Sequence, residues 1–476
     1  MSLPITAALL FCAPQAAGIV AIENVSVIEP GEPKASAGRT VVIENGVFRQ
    51  VGDAKRMRVP SGATRIDGTG KFLIPGLWDM HVHWYDESAL GLFTANGVTG
   101  IRIMFGSPMH KAWKERSALG ERTGPRIVLA SPIVDGPKPI WPGSHAIADS
   151  KDAPALVDRL KSEGWDFIKT YSLMPRDAYL ELAKRANAAG VPFAGHVPYS
   201  VGLLEAARLG HRSNEHLGGI LLELDPRAAE LRPKLEELIS AEQPMREIGR
   251  LLGSVEGGTN SLDAARLKSL AKELATTKMW QCPTLVVLRA MAHLDQESFT
   301  KDERVKYMPA MIRSMWNPAN DFRLRHRTEA QWQVERDQYK LKLALIKPLK
   351  DAGNRFLAGT DCLNPYCFPG FSLHDELALL VEAGLSPTEA LEAATINPAR
   401  FLGEEAKWGG VAAGKRADAV LLERDPLGDI RNTTSIHAVV QGGKVFSRVE
   451  LDAMLKANEK PVLVSALFPG VPCCRD

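Results

Sequence analysis

The stretch IPGLWDMHVHWYDE, residues Ile74–Glu87, decides how the rest of the chain is read. An apolar run passes without a turn residue into two histidines one position apart, His81 and His83, with Asp79 two residues before the first. Alternation along a strand puts residues two apart on one face, so Asp79, His81 and His83 are expected to point the same way at the end of a core strand. Two imidazoles on one strand edge can grip a single metal ion. An H-x-H pair alone is weak evidence, because many occur by chance.

The chain changes texture on either side of this stretch. Before it come short β-like runs broken by turns, IVAIENVSVI (19–28), RTVVIENGVFRQVG (39–52) and ATRIDGTGKFLI (63–74), with Asn45–Gly46 as a hairpin signal. The same texture returns after about Gly403 in ADAVLLERDP (417–426) and IHAVVQGGKVF (436–446). The two β-rich ends, residues 19–75 and 404–450, are therefore expected to form one small composite domain. Between them, residues 76–403 alternate apolar strands with helix-period segments such as DAPALVDRLKSEG and RDAYLELAKRANAAG. The strand candidates are Leu77–His83, Gly97–Met104, Pro125–Val134, Asp166–Ser172, Pro192–Pro198, Arg212–Leu217, Met279–Leu288 and Arg355–Cys362. Eight βα units predict an α/β protein built on a (β/α)₈ TIM barrel, with reactive groups at the C-terminal strand ends. Two long connections, Gly218–Lys278 and Arg289–Asn354, leave strand ends and could roof a pocket there.

Composition narrows the function. A chain of 476 residues exceeds one ordinary core, and 45% hydrophobic with 24% charged residues is usual for a globular protein. The net charge of +2 argues neither for nor against a charged partner, and the lack of a basic block interleaved with aromatics gives nucleic-acid binding little support. No uncharged stretch reaches the length of a membrane span. Residues 1–18, MSLPITAALLFCAPQAAG, read as a secretory segment cleaved near Ala16–Gly18, which implies export to a periplasm or beyond. That segment lacks the usual positive start, and the alternative is a frayed terminus on a cytoplasmic protein. The six cysteines show neither finger spacing nor a disulfide framework, and Cys473–Cys474 lie in a tail, residues 451–476, whose pairing is unreadable.

The later strand ends carry the chemistry. GWDFIKTYS places Phe167, Lys169 and Tyr171 on one face, and a lysine facing a barrel lumen is costly unless its charge is altered or paired. The plain alternative is a lysine reaching solvent or a carboxylate. PFAGHVP ends in His196, RSNEHLG in His216 and RFLAGTDCL in Asp361. Histidine pair, lysine, histidine, histidine and aspartate thus arrive in order at the ends of separate strands.

These residues, with PGLWDMHVH, GVTGIR, DFIK, GHVP, EHL and AGTD in sequence, make the chain resemble the amidohydrolase superfamily of metal-dependent hydrolases over nearly its whole length. It is similar in particular to the prolidase-like and imidazolonepropionase-like members. The ending LSPTEALEAATINPARFLG, followed by AGKRADAVLLERDP, resembles the family's return into a composite β-sandwich. The resemblance implies a binuclear centre of two divalent metal ions. His81 and His83, with Asp361, would hold the buried ion, and His196 and His216 the exposed one. Lys169, carboxylated by carbon dioxide, would bridge them, turning a buried cation into an anionic ligand. Such a donor set suits zinc, with manganese, cobalt or iron as alternatives. Hydroxide held between the ions would attack an amide or peptide-type C–N bond of a small substrate such as a dipeptide or N-acyl amino acid, with Asp361 as proton shuttle. An esterase or lactonase using the same site is the alternative, and a ligand-free scaffold is a rival that predicts gaps in the ligand set. Asp79 is expected to orient His81 from behind.

Four residues are substrate-binding candidates: Tyr171 on the face of Lys169, His145 in the loop after strand three, Arg102 in GIRIMFG and His374 after strand eight. Ile103 departs from the acidic residue that many relatives carry after this arginine, which leaves the role of Arg102 open. Glu215 is expected to face away from His216 in a salt bridge. His110, His211, His293, His326 and His437 are expected to be structural or surface residues. Relatives often self-associate, so a homo-oligomer is expected by analogy.

Overall fold

Five short strands precede the histidine pair: β1 (Val20–Val27), β2 (Ser36–Glu44), β3 (Val47–Asp53), β4 (Thr64–Asp67) and β5 (Phe72–Pro75). The computed structural model describes residues 18–242, 245–256, 262–321 and 324–459. The secretory segment and the Cys473–Cys474 tail fall outside these residues. Asn45 and Gly46, both at positive φ, turn β2 into β3, as an Asn-Gly hairpin requires.

Ten parallel strands follow: β6 (Leu77–Val82), β7 (Val98–Ile103), β8 (Arg126–Leu129), β9 (Val134–Asp135), β10 (His145–Ala146), β11 (Ile168–Thr170), β12 (Phe193–Gly195), β13 (Ser213–Glu215), β14 (Trp280–Cys282) and β15 (Arg355–Phe356). Their pairings run from β6 to β7 to β8, cross from Ala130 to Phe167, and continue through β11, β12, β13 and β14 to β15. The circuit closes where Val82 bridges Cys362 and the Met80 N–H donates to the Ala358 carbonyl at 2.9 Å. Isoleucines 101 and 103, Leu129, Ile168, Phe193 and Phe356 turn outward onto the helices in one large apolar cluster. Met104, Ala130, Phe167 and Ala194 turn inward and pack on one another.

Every expected strand is shorter than its segment, Arg355–Cys362 being a strand only to Phe356, and two of the segments also change character. Pro125–Val134 divides into β8 and β9 around Pro132, which has no N–H for the ladder. Met279–Leu288 is a strand only to Cys282; Pro283 and Thr284 end it, and Leu285–His293 is helical. A short buried apolar run suits a strand or a helix equally, so periodicity could not separate them.

The last strands, β16 (Ala419–Leu422), β17 (Ile436–Gln441) and β18 (Lys444–Ser447), join the first five in one eight-stranded sheet, with β16 antiparallel to β5. Period-two alternation serves two cores. Ala419, Leu421, Ala438 and Val440 pack with Ile22, Ile43 and Phe48 of the same sheet, so the sheet curls over its own face. Val420, Leu422 and Val439 point the other way, into the core of the parallel ring. The helix Arg448–Ala457 starts on a Ser447/Glu450 capping box and straddles residue 450, burying Leu451 in that same core.

Both long connections are helical. Leu222, Leu231, Leu235, Ile239 and Ile248 of the first form a separate cluster with Leu173, Ile140 and Tyr199, which belong to loops leaving β11, β9 and β12 at their C-terminal ends. The first connection therefore lies over the strand-end side of the ring. Among the described residues no helix is long and apolar enough to cross a membrane.

Candidate metal centre

The first strand does not alternate as an ideal strand would. Asp79 and Val82 pair with Ile101 and Ile103, so β6 carries one residue more than β7 over this interval. That bulge puts Asp79 on the helix-facing side with Ile101 and turns His81 inward with His83. The expectation that Asp79 shares a face with both histidines is corrected accordingly. Asp79 accepts from the backbone N–H of His81 at 3.2 Å, from the N–H of Thr360 at 3.0 Å and from its hydroxyl at 2.6 Å. It steadies the backbone on both sides of the site and does not touch the His81 ring.

Glu215 holds that ring. His81 Nδ1 lies 2.8 Å from Glu215 Oε2, both groups being fully buried. Burial raises the Glu215 carboxyl, but the charges of Arg102 and Lys169 outweigh it and keep it below the ordinary range, hence ionised. An ionised carboxylate only accepts, so Nδ1 carries the ring proton and the Nε2 lone pair faces inward. The expectation that Glu215 faces away failed because His216 stands at φ +61°, a left-handed conformation that reverses the strand and aims both residues into the ring.

The other imidazoles are tethered in the same manner. His216 Nδ1 lies 2.6 Å from the Thr284 hydroxyl, which itself donates to the Pro283 carbonyl, and His196 Nδ1 lies 2.8 Å from Ser172 Oγ. Ring centroids of His81 and His216 are 4.8 Å apart, and those of His196 and His216 4.9 Å. Burial pushes His81 and His196 well below the usual imidazole range and His216 down to about 4, so these rings are neutral, the state in which imidazole ligates a metal.

Inside this ring of nitrogens the potential ligand atoms crowd on one another. His81 Nε2 lies 3.2 Å from His83 Nε2 and 3.3 Å from Asp361 Oδ1, while His83 Nε2 is 3.2 Å from the same oxygen. Asp361 Oδ2 is 3.8 Å from His216 Nε2. Burial raises the Asp361 carboxyl, yet the facing imidazoles more than offset this and hold it well below the ordinary range. Asp361 Oδ1 and Lys169 Nζ are buried without hydrogen-bond partners. Burial lowers the Lys169 amine to about 8. Acceptor atoms crowded on one point, with a buried amine beside them, are satisfied by cations and by an amine converted to an acid. The residues present therefore fit a metal centre.

Its geometry is paid for in backbone strain. His216, Leu217, Thr284 and Asp361 all stand at positive φ, between +50° and +61°, which costs about 1–3 kcal/mol for each non-glycine residue. Gly195, at φ +131°, lies under Lys169; a Cβ there would meet the Thr170 carbonyl oxygen at 2.5 Å and Lys169 Cδ at 2.7 Å.

The substrate-binding candidates part company. Tyr171 comes to the site, stacked on His196 with centroids 4.2 Å apart, and its hydroxyl accepts from Trp141 Nε1 at 2.7 Å. Arg102 is engaged beneath the site and fully buried there: it donates to the Met80 carbonyl at 2.6 Å, Ser213 Oγ at 2.9 Å and Glu215 at 2.9 and 3.2 Å. His374 uses both nitrogens as a clamp, 2.9 Å from Thr433 Oγ1 and 3.0 Å from the Asn96 carbonyl, and lies among helices. His145 pairs with Val134 through β10, and its Nδ1 meets Arg159 at 3.2 Å. Ser172, Thr284 and Glu215 were missed as ring partners. The one signal for Glu215 was the buried arginine, which demanded a carboxylate from some neighbouring strand.

Comparison with known proteins agrees with this geometry. Residues 310–446 match the family described as the amidohydrolase family. The chain is 24% identical to an ochratoxinase of Aspergillus niger over 461 residues, covering 90% of this chain and 86% of that one. Among solved structures, the bottromycin amidohydrolase superposes with a TM-score of 0.69 at 25% identity, covering 93% of this chain and 90% of that one. A putative prolidase from Bifidobacterium longum shares the fold, with a TM-score of 0.64 at 20% identity over 93% of this chain and all (100%) of that one. With the ordered strand-end residues, these likenesses make residues 310–446 similar to the amidohydrolase family and the chain as a whole similar to proteins of that fold.

Proposed function

We propose that the protein is a binuclear metal-dependent amidohydrolase cleaving an amide or peptide-type C–N bond of a small, carboxylate-bearing substrate, a dipeptide or N-acyl amino acid. The observation that carries this reading is the convergence of His81 Nε2, His83 Nε2 and Asp361 Oδ1 within 3.3 Å, with the second nitrogen of His81 tied to Glu215. In this reading residues 76–403 are a (β/α)₈ TIM barrel, residues 19–75 and 404–450 a composite β-sandwich, and residues 1–18 direct export. The closed circuit of parallel strands and the curled eight-stranded sheet support the first two parts. Names borne by similar proteins, ochratoxinase and prolidase, favour an amide-type bond over an ester or lactone.

His81, His83 and Asp361 would hold one ion, His196 and His216 the second, and carboxylated Lys169 would lie between. Two bound zinc ions supply a nucleophile from water at neutral pH and polarise a carbonyl. The chain's own groups do the rest. Burial holds part of the Lys169 amine neutral near pH 8, the form that adds carbon dioxide. Asp361, kept ionised by the facing imidazoles, takes a proton during attack and returns it to the departing nitrogen. Tyr171 offers a hydrogen bond beside His196. Glu215, Thr284 and Ser172 hold the three rings in orientation.

The test is metal analysis of the purified chain with a panel of dipeptides, N-acyl amino acids and lactones. About two transition-metal ions per chain and chelator-sensitive turnover of amides are expected. Lys169→Ala should lose metal and nearly all activity, with partial recovery on adding a small carboxylic acid. Full activity of this variant without such an acid, or no metal in the parent, would overturn the reading.

A further inference from the structure

The hydroxyl of Tyr171 has a fixed partner on one side. The indole nitrogen of Trp141 is a donor only, and it stands 2.7 Å from the phenol oxygen. Among the described residues nothing accepts the proton of that phenol. The ring lies nearly parallel to His196, at an angle of 21°, and Lys169 Nζ is 5.9 Å from its centroid. The uncommitted proton therefore belongs to a group flanking the candidate centre.

The loop that brings Trp141 is stapled in place. Buried Asp135, at the end of β9, accepts from the backbone N–H of Leu173 at 2.7 Å and of Ile140 at 3.2 Å. Gly136 lies so close to the turn after β11 that a Cβ would stand 1.7 Å from the Leu173 carbonyl oxygen. Ile140 and Leu173 share one apolar cluster with the helix Ala228–Ser240. The residue before Trp141 and the turn that follows Tyr171 are thus held together.

We propose that Trp141 is a positioning residue: by donating to Tyr171 it fixes the phenol as a hydrogen-bond donor, so the substrate must present an acceptor oxygen, carbonyl or carboxylate, beside His196. This rests on the amidohydrolase reading above. A phenol free of Trp141 could rotate its proton away and accept from an N–H instead. With the indole in place that orientation sets two donors against the same oxygen, and an acceptor is selected.

The experiment compares Trp141→Phe, Tyr171→Phe and the double variant of the metal-loaded chain on one N-acyl amino acid. Each single variant should lose about 10- to 100-fold in kcat/KM with metal content unchanged, and the double variant should stay within twofold of Tyr171→Phe, because Trp141 acts through the phenol. Losses that multiply would overturn the proposal. A second measurement needs no turnover. In ¹⁵N-tryptophan-labelled chain, the Trp141 indole resonance, identified by its disappearance in Trp141→Phe, should shift and exchange faster with solvent in Tyr171→Phe. It should also move on adding N-acetylalanine to the parent and not to Tyr171→Phe. An indole signal indifferent to Tyr171, or one that N-acetylalanine moves equally in both proteins, refutes the proposal. If the parent hydrolyses nothing on the panel yet these indole responses appear, the catalytic reading fails and the Trp141–Tyr171 device stands.

Discussion

Glu215→Ala separates support of a metal ligand from support of the fold. The carboxylate serves two buried partners, His81 Nδ1 at 2.8 Å and Arg102 Nη2 at 2.9 Å. Its removal leaves the Arg102 guanidinium bonded to the Met80 carbonyl and Ser213 Oγ but with no counter-charge, in a site closed to water. Orphaning one half of a buried ion pair costs about 3–5 kcal/mol. The His81 ring also loses the acceptor that fixes its tautomer, and loss of such a partner lowers metal affinity about 10- to 100-fold. Adding Arg102→Met removes the orphaned charge, so the double variant should regain most of the stability while its metal affinity stays low. Urea unfolding of the metal-free chain reads the first effect, and competition with a chromophoric chelator reads the second. A Glu215→Ala chain that binds zinc within about threefold of the parent would refute the reasoning. So would a double variant with parental affinity, since Glu215 would then be only the counter-ion of Arg102.

Two further outcomes are expected. Glu376 is fully buried, accepts from the Val286 N–H at 2.8 Å, and is pushed by burial from 4.5 up to about 8. A carboxyl with a raised folded-state pKa stabilises fully below pH 4.5 and loses that contribution as pH rises through 8, on the order of 5 kcal/mol across the window. Glu376→Gln should therefore match the parent near pH 4.5 and melt progressively higher than it toward pH 9, and parallel melting curves across pH would refute this. Gly195→Ala should displace Lys169, because the new methyl would sit 2.7 Å from its Cδ at a backbone φ of +131°. A cost of at least about 2 kcal/mol and loss of bound metal are expected, and metal content equal to the parent's would show that Lys169 tolerates the shift.

Much of the molecule was written in local patterns. Period-two runs such as ADAVLL name the two faces of the composite sheet, and helix periods filled the gaps between strands. The order of residue types at the strand ends named His81, His83, Lys169, His196, His216 and Asp361, because the ends of parallel strands meet at one side of a ring whatever loops join them. Side-chain direction was another matter. One inserted residue in β6 turned Asp79 away from its neighbours, and left-handed backbone at His216 and Asp361 re-aimed the residues around them. Alternation is a property of an ideal strand, and neither a bulge nor a positive φ at a non-glycine residue leaves a mark on composition. Arg102 and His374 carried the right chemistry for a substrate, but each is claimed by partners distant in the chain, Glu215 for the first and Asn96 with Thr433 for the second, while Arg159 engages only Nδ1 of His145. A buried polar group takes the nearest complementary group in space, and only the tertiary structure decides which one that is.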